Sequence, residues 1–182
     1  MVWMSIALAA WLVGQADAAL FTADSEPPPG LLELGDERVD LRDAPTMSAP
    51  VIERITREAA DEIRLVRVRV VTRATGRLRS LSAEATVSGA DFGARRHIPL
   101  PTPGVQIPAA VVTVPEGEEV VYLQESPGGC YVSIGDRVID ARPCPSGDSR
   151  FLVERQPRVE WWGFLRLSDG RSGWILVARH GG

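Results

Sequence analysis

The chain has 182 residues, 45% of them hydrophobic and 24% charged, with a formal net charge of -4 and acids and bases interspersed along its length. Those values describe an ordinary soluble globular chain of one or two small domains and exclude a disordered or multiply membrane-spanning one. No electrostatic footprint for nucleic acid is present, and the absence of lysine among twenty basic residues reads as GC-rich, bacterial codon usage.

The N-terminus, MVWMSIALAAWLVGQADAAL, carries an apolar run from Val2 to Val13 and then Ala16-Asp17-Ala18, an A-x-A pattern of the kind signal peptidase cuts after. A signal peptide over 1–18 is therefore expected, with a mature chain from Ala19 in the periplasm or outside the cell. The run is well short of the about 20 residues that cross a bilayer, so no membrane association is expected after cleavage. Residues 19–36, with Ser25-Glu26-Pro27-Pro28-Pro29-Gly30 inside them, read as a flexible lead-in to a folded region over 37–180.

Within that region short strands dominate. Thr56–Glu62 is the one helical pattern, with Thr56 placed to cap it. Ile63–Thr72 has the period of two of a half-buried strand, setting Arg64, Val66, Val68 and Val70 against Leu65, Arg67, Arg69 and Val71. Leu81–Pro108 is rich in Ser, Ala, Gly and Pro, and Pro99, Pro101, Pro103 and Pro108 argue against regular central strands there. Ala109–Val114 and Glu118–Gln124 are further strands, joined by the turn Pro115-Glu116-Gly117. The expected class is mostly β with little helix.

Cys130 and Cys144 are the only cysteines. The segment between them reads as a hairpin turning at Gly135-Asp136, with Cys130, Val132 and Ile134 opposite Ala141, Ile139 and Arg137. Cys130 then faces Ala141, so a disulfide needs Pro143-Cys144 to fold back over the hairpin's open end. A zinc site from His97, Cys130, Cys144 and His180 is the alternative, but its ligands lack the close pair spacing of structural zinc sites. No metal and no cofactor are expected.

Trp161-Trp162-Gly163-Phe164-Leu165-Arg166-Leu167-Ser168-Asp169-Gly170-Arg171-Ser172-Gly173-Trp174 reads as a second hairpin. A two-residue Asp169-Gly170 turn pairs Leu165 with Trp174 and Phe164 with Ile175. Trp162, Phe164, Ile175 and Val177 then share one face, and Trp161, Leu165, Leu167, Trp174 and Leu176 the other.

The run Trp161 to Phe164 followed by Asp169-Gly170-Arg171-Ser172-Gly173-Trp174-Ile175 resembles the closing half of a bacterial SH3 (SH3b) domain. Val39-Asp40-Leu41-Arg42-Asp43-Ala44-Pro45-Thr46-Met47-Ser48-Ala49-Pro50-Val51-Ile52 is similar to the opening half of such domains, with Ala44 where a loop glycine is usual. The two motifs stand much further apart than in that family. The resemblance therefore implies either an SH3-like small barrel with a β-rich insertion at about 54–158, or two small barrels in tandem. It also implies a non-catalytic module that recognises peptidoglycan, a wall peptide or another envelope protein. Trp161 corresponds to the aromatic at the rim of the ligand groove, and Phe164 and Ile175 to core positions. Trp161, Trp174, Tyr131 and Leu165 are the candidate ligand face. The alternative is a structural or assembly protein in which those rings are buried by the insertion or by a partner. No nucleophile elbow, paired carboxylates or cysteine–histidine pair argues for catalysis.

Overall fold

The computed structural model describes residues 18–27, 38–56 and 63–181. Strands β1 (Phe21–Ser25), β2 (Val39–Arg42), β3 (Val51–Ile55), β4 (Ile63–Ala74), β5 (Gly76–Ser80), β6 (Thr86–Asp91) and β7 (His97–Ile98) are followed by β8 (Ala109–Thr113), β9 (Glu119–Ser126) and β10 (Gly129–Ile134). After them come β11 (Arg137–Ala141), β12 (Phe151–Arg155), β13 (Arg158–Leu167) and β14 (Ser172–His180). A single 3-10 turn, Pro145–Gly147, lies between β11 and β12, and the described residues contain no α-helix. The chain is mostly β, as its alternating patterns require. The expected helix at Thr56–Glu62 falls, except for Thr56, outside the described residues.

The strands form two seven-stranded sheets. Sheet A has the order β3-β2-β14-β13-β4-β1-β7, and sheet B the order β12-β5-β9-β10-β11-β6-β8. β4 runs through Thr75 straight into β5, and β12 returns through Gln156-Pro157 into β13. These two crossings lie side by side, because Ala74 pairs with Arg158 at the end of the β4–β13 ladder. Sheet A is thus built from strands before residue 75 and after residue 157, apart from β7, which reaches out from between the strands of sheet B to pair in parallel with β1.

The β10–β11 hairpin has the register read from sequence, Cys130 with Ala141, Val132 with Ile139 and Ile134 with Arg137. Gly135 sits at φ 61° as the first residue of the two-residue turn, the position where a type II′ turn needs glycine. Cys130 and Cys144 are joined by a disulfide. That bond suits an oxidising compartment.

Two expectations change. Phe21–Ser25, placed in the flexible lead-in, is a strand of sheet A, held because Phe21 and Ala23 are buried against Leu123 and Val138 of sheet B. β6 is a regular strand between β11 and β8, inside the Ser/Ala/Gly/Pro-rich stretch. The prolines all follow it, and Gly89 lets it lie close to β11, where a Cβ would collide with the Asp140 carbonyl.

Sheet B curls around Leu78, Val87, Val120, Tyr122, Val132 and Ile139, all at most 1% exposed. Its two edges approach each other where the Ser80 hydroxyl donates to the Val114 carbonyl (3.2 Å) and the Arg150 guanidinium to the Glu84 carbonyl (3.2 Å). Sheet A has two different faces. The inner face packs on sheet B near β1 and on the folded-over β2–β3 hairpin near β14, where Leu41, Ile55, Leu165 and Ile175 form a core. The outer face carries Trp162, Trp174 and Phe164.

Candidate functional site

The position of every aromatic in the β13–β14 hairpin follows from its turn. Arg166 pairs with Ser172, Leu165 with Gly173, Phe164 with Trp174 and Trp162 with Leu176. The Gly170 N–H donates to the Leu167 carbonyl (3.1 Å), the Leu167 N–H donates to the Arg171 carbonyl (2.9 Å), and Gly170 has φ 88°. This is a three-residue Ser168-Asp169-Gly170 loop closed by a left-handed glycine, in place of the expected two-residue Asp169-Gly170 turn. A type I′ turn would have required positive φ at Asp169, and no described non-glycine residue has it. The pairing slips by one residue, so the side chains of β14 exchange faces relative to those of β13.

Trp174 therefore shares the outer face with Trp162 and Phe164, while Leu165 and Ile175 share the inner one. The candidate set Trp161, Trp174, Tyr131 and Leu165 is not brought together. Leu165 is fully buried in the inner core. Trp174 is 5% exposed and packs against Phe164, the ring centroids 5.0 Å apart and the planes tilted by 55°. Tyr131 packs on Phe21 (5.3 Å) and Phe92 (6.1 Å) between the sheets, where burial pushes its phenol up to about 12, with a further contribution from Asp140. Phe164, expected in the core beside Ile175, is half-buried on the opposite face from it.

Trp161 remains partly exposed, on the inner face where sheet A leaves sheet B. It walls a cleft of about 350 Å³ with Val70, Tyr122, Glu125, Pro157 and His180. The His180 ring stands edge-on to the indole at 6.0 Å. A cleft of that volume is at the small end of sites that hold a low-molecular-weight group. Its indole, imidazole and carboxylate can stack against an apolar or sugar face, donate or accept a hydrogen bond, and attract a cation. The partners of Trp161 were not legible in sequence, because they come from β4, β9, the β12–β13 crossing and the end of β14.

The outer face holds a second constellation. Arg67 lies over both Phe164 (5.0 Å) and Trp174 (5.2 Å), and Arg69 over Trp174 (4.9 Å). Asp24, buried beneath them, accepts from Arg69 through both oxygens, at 2.6 and 2.9 Å. His97 sits at the margin, its ring 2.8 Å from the Thr22 hydroxyl, and burial together with the nearby Arg69 holds its imidazole below the usual range. The sequence period placed Arg64 opposite Arg67 and Arg69. A bulge changes this, because Phe164 pairs with Arg67 and Leu165 with Leu65, leaving Val66 as the extra residue and bringing Arg64 onto the outer face.

No family model, curated protein or solved structure matches the chain. Function must be argued from the molecule itself. Among the described residues, no group of three or more His, Cys, Asp or Glu side chains is placed to hold a metal ion. No helix among them is long and apolar enough to cross a membrane.

Proposed function

We propose that this chain is an exported, non-catalytic binding module of the bacterial cell envelope, built on an SH3-like barrel, whose Trp161 cleft takes a fragment of peptidoglycan, a wall peptide or a segment of an envelope protein. The observation that carries the reading is the partly exposed indole of Trp161 in a cleft between two sheets, when the other tryptophans of that hairpin are buried. Support for the barrel comes from the adjacency of β3, β2, β14, β13 and β4, which carry both SH3b-like motifs around the Leu41, Ile55, Leu165 and Ile175 core. Export and a periplasmic or extracellular site are supported by the disulfide and by the signal-like N-terminal sequence.

The test is co-sedimentation of the chain lacking residues 1–18 with purified sacculi. Wild type is expected in the pellet, and Trp161→Ala is expected to lose binding about tenfold or more, as the loss of a central aromatic anchor does. Binding unchanged by the substitution removes the cleft from the site. A second reading, a structural subunit of an envelope assembly, is favoured by the internal burial of Trp174, Leu165 and much of Tyr131. Absence of wild-type binding to sacculi would support it.

A further inference from the structure

The outer face of sheet A lies opposite the Trp161 cleft, and its properties do not depend on what that cleft binds. Acids and bases that alternate along the sequence are sorted by the strands. Arg64, Arg67 and Arg69 of β4 and Arg166 of β13 stand together on this face, in a chain whose net charge is -4. Arg64 is directly across the ladder from Arg166, both are exposed, and neither has an ion-pair partner among the described residues. Like charges directly opposed across two strands destabilise a sheet. The acids that oppose them are few. Asp24 is taken up by Arg69 and lies 3.9 Å from the nearest Arg67 nitrogen, while exposed Glu26 sits one step past the end of the β1–β4 ladder. The Arg67 Nε–H is buried with no acceptor.

The aromatics give this charge a fixed geometry. Phe164 and Trp174 lie beneath the Arg67 guanidinium, and Trp174 beneath that of Arg69, so less side-chain freedom is lost when a ligand arrives. Arg64 and Arg67 pair with Arg166 and Phe164, which are two residues apart on β13, so with Val66 bulged out the two arginines stand about 6.6–6.8 Å apart along the strand. An extended peptide with acidic side chains at alternate positions presents carboxylates at the same repeat. Planar guanidinium groups bind planar carboxylates through paired hydrogen bonds.

We propose that the outer face of sheet A is a docking strip for an extended acidic peptide, whose carboxylates are taken by Arg64, Arg67 and Arg166. Arg69 is committed to Asp24 and serves to position its neighbour. An anion seated on the strip relieves the repulsion between Arg64 and Arg166.

Fluorescence anisotropy with a labelled Glu-Ala-Glu-Ala-Glu peptide at low salt tests this. Arg166→Glu is expected to weaken binding about tenfold or more, whereas Arg158→Glu, the same charge change at the exposed far end of the same strand, is expected to change it less than about twofold. Trp161→Ala is expected to leave it unaltered, which separates the strip from the cleft. Equal loss in both arginine variants would reduce the effect to net charge and overturn the proposal. So would absence of wild-type binding, loss in Trp161→Ala, or displacement by tripolyphosphate at lower concentration than by unlabelled peptide, which would assign the strip to phosphate.

Discussion

Thr72 is fully buried on β4, and its hydroxyl lies 2.9 Å from the Leu123 carbonyl and 3.1 Å from the Gln124 Oε1 of β9 in the other sheet. Gln124 is itself 1% exposed, so neither acceptor has water as a ready substitute. Thr72→Val keeps the side-chain shape, removes the hydroxyl proton that these two oxygens share, and leaves the buried Gln124 Oε1 without this donor. The expected cost is about 1–3 kcal/mol. In a chain of this size each kcal/mol lowers Tm by about 2–4 °C. Urea unfolding followed by far-ultraviolet circular dichroism reads the change as a lower midpoint at unchanged slope. The double variant Thr72→Val/Gln124→Leu removes both ends of the contact, and the cycle is expected to show a coupling of at least about 0.5 kcal/mol. A Thr72→Val variant within about 0.5 kcal/mol of wild type, or strict additivity in the cycle, would refute the claim that this contact ties the sheets together.

Replacing both cysteines by serine opens the loop closed by Cys130 and Cys144, which are 14 positions apart, and is expected to cost about 3 kcal/mol on the chain-entropy estimate. Equal melting temperatures for the double variant and the wild type, both without reductant, would contradict it. Tyr131 supplies a pH dependence. Its folded-state phenol is raised to about 12 by burial, against about 10 when unfolded, so the stability it adds is complete below pH 10 and is lost as pH rises from there through 12. Tyr131→Phe is expected to flatten that part of the stability profile, and an ultraviolet titration that ionises both tyrosines together near pH 10 would exclude the shift.

How much of this was legible in the sequence depended on which turn set each register. Gly135-Asp136 permits one tight turn, and every pair of the β10–β11 hairpin followed from it. Ser168-Asp169-Gly170 fits two turns of different length, and local chemistry does not choose between them. The choice is made by packing, since Gly173 approaches β2 so closely that a Cβ would stand 2.7 Å from both the Arg42 carbonyl oxygen and the Leu41 side chain. The bulge at Val66 was hidden for the same reason, because it answers to β13 and leaves no mark on β4 itself. Ile63–Thr72 could be recognised as a strand while the side on which Arg64 projects could not. Trp161 was singled out in the sequence only through a family resemblance, and its neighbours in the cleft are joined by long-range pairing that no local pattern records.

The two crossings between the sheets leave and enter at neighbouring strands, where Ala74 meets Arg158. For the β4–β13 pair, everything from Thr75 to Pro157 is then one closed loop, and loop-closure entropy grows only with the logarithm of its length. Exchanging a tight turn of about ten residues for this segment costs about 2 kcal/mol, roughly three doublings. A fold that can lengthen one hairpin at so small a penalty is open to acquiring, enlarging or losing whole sheets at that point, with the strands on either side keeping their register. The Trp161 cleft draws Tyr122, Glu125 and Pro157 from this segment, so it depends on the long connection between β4 and β13.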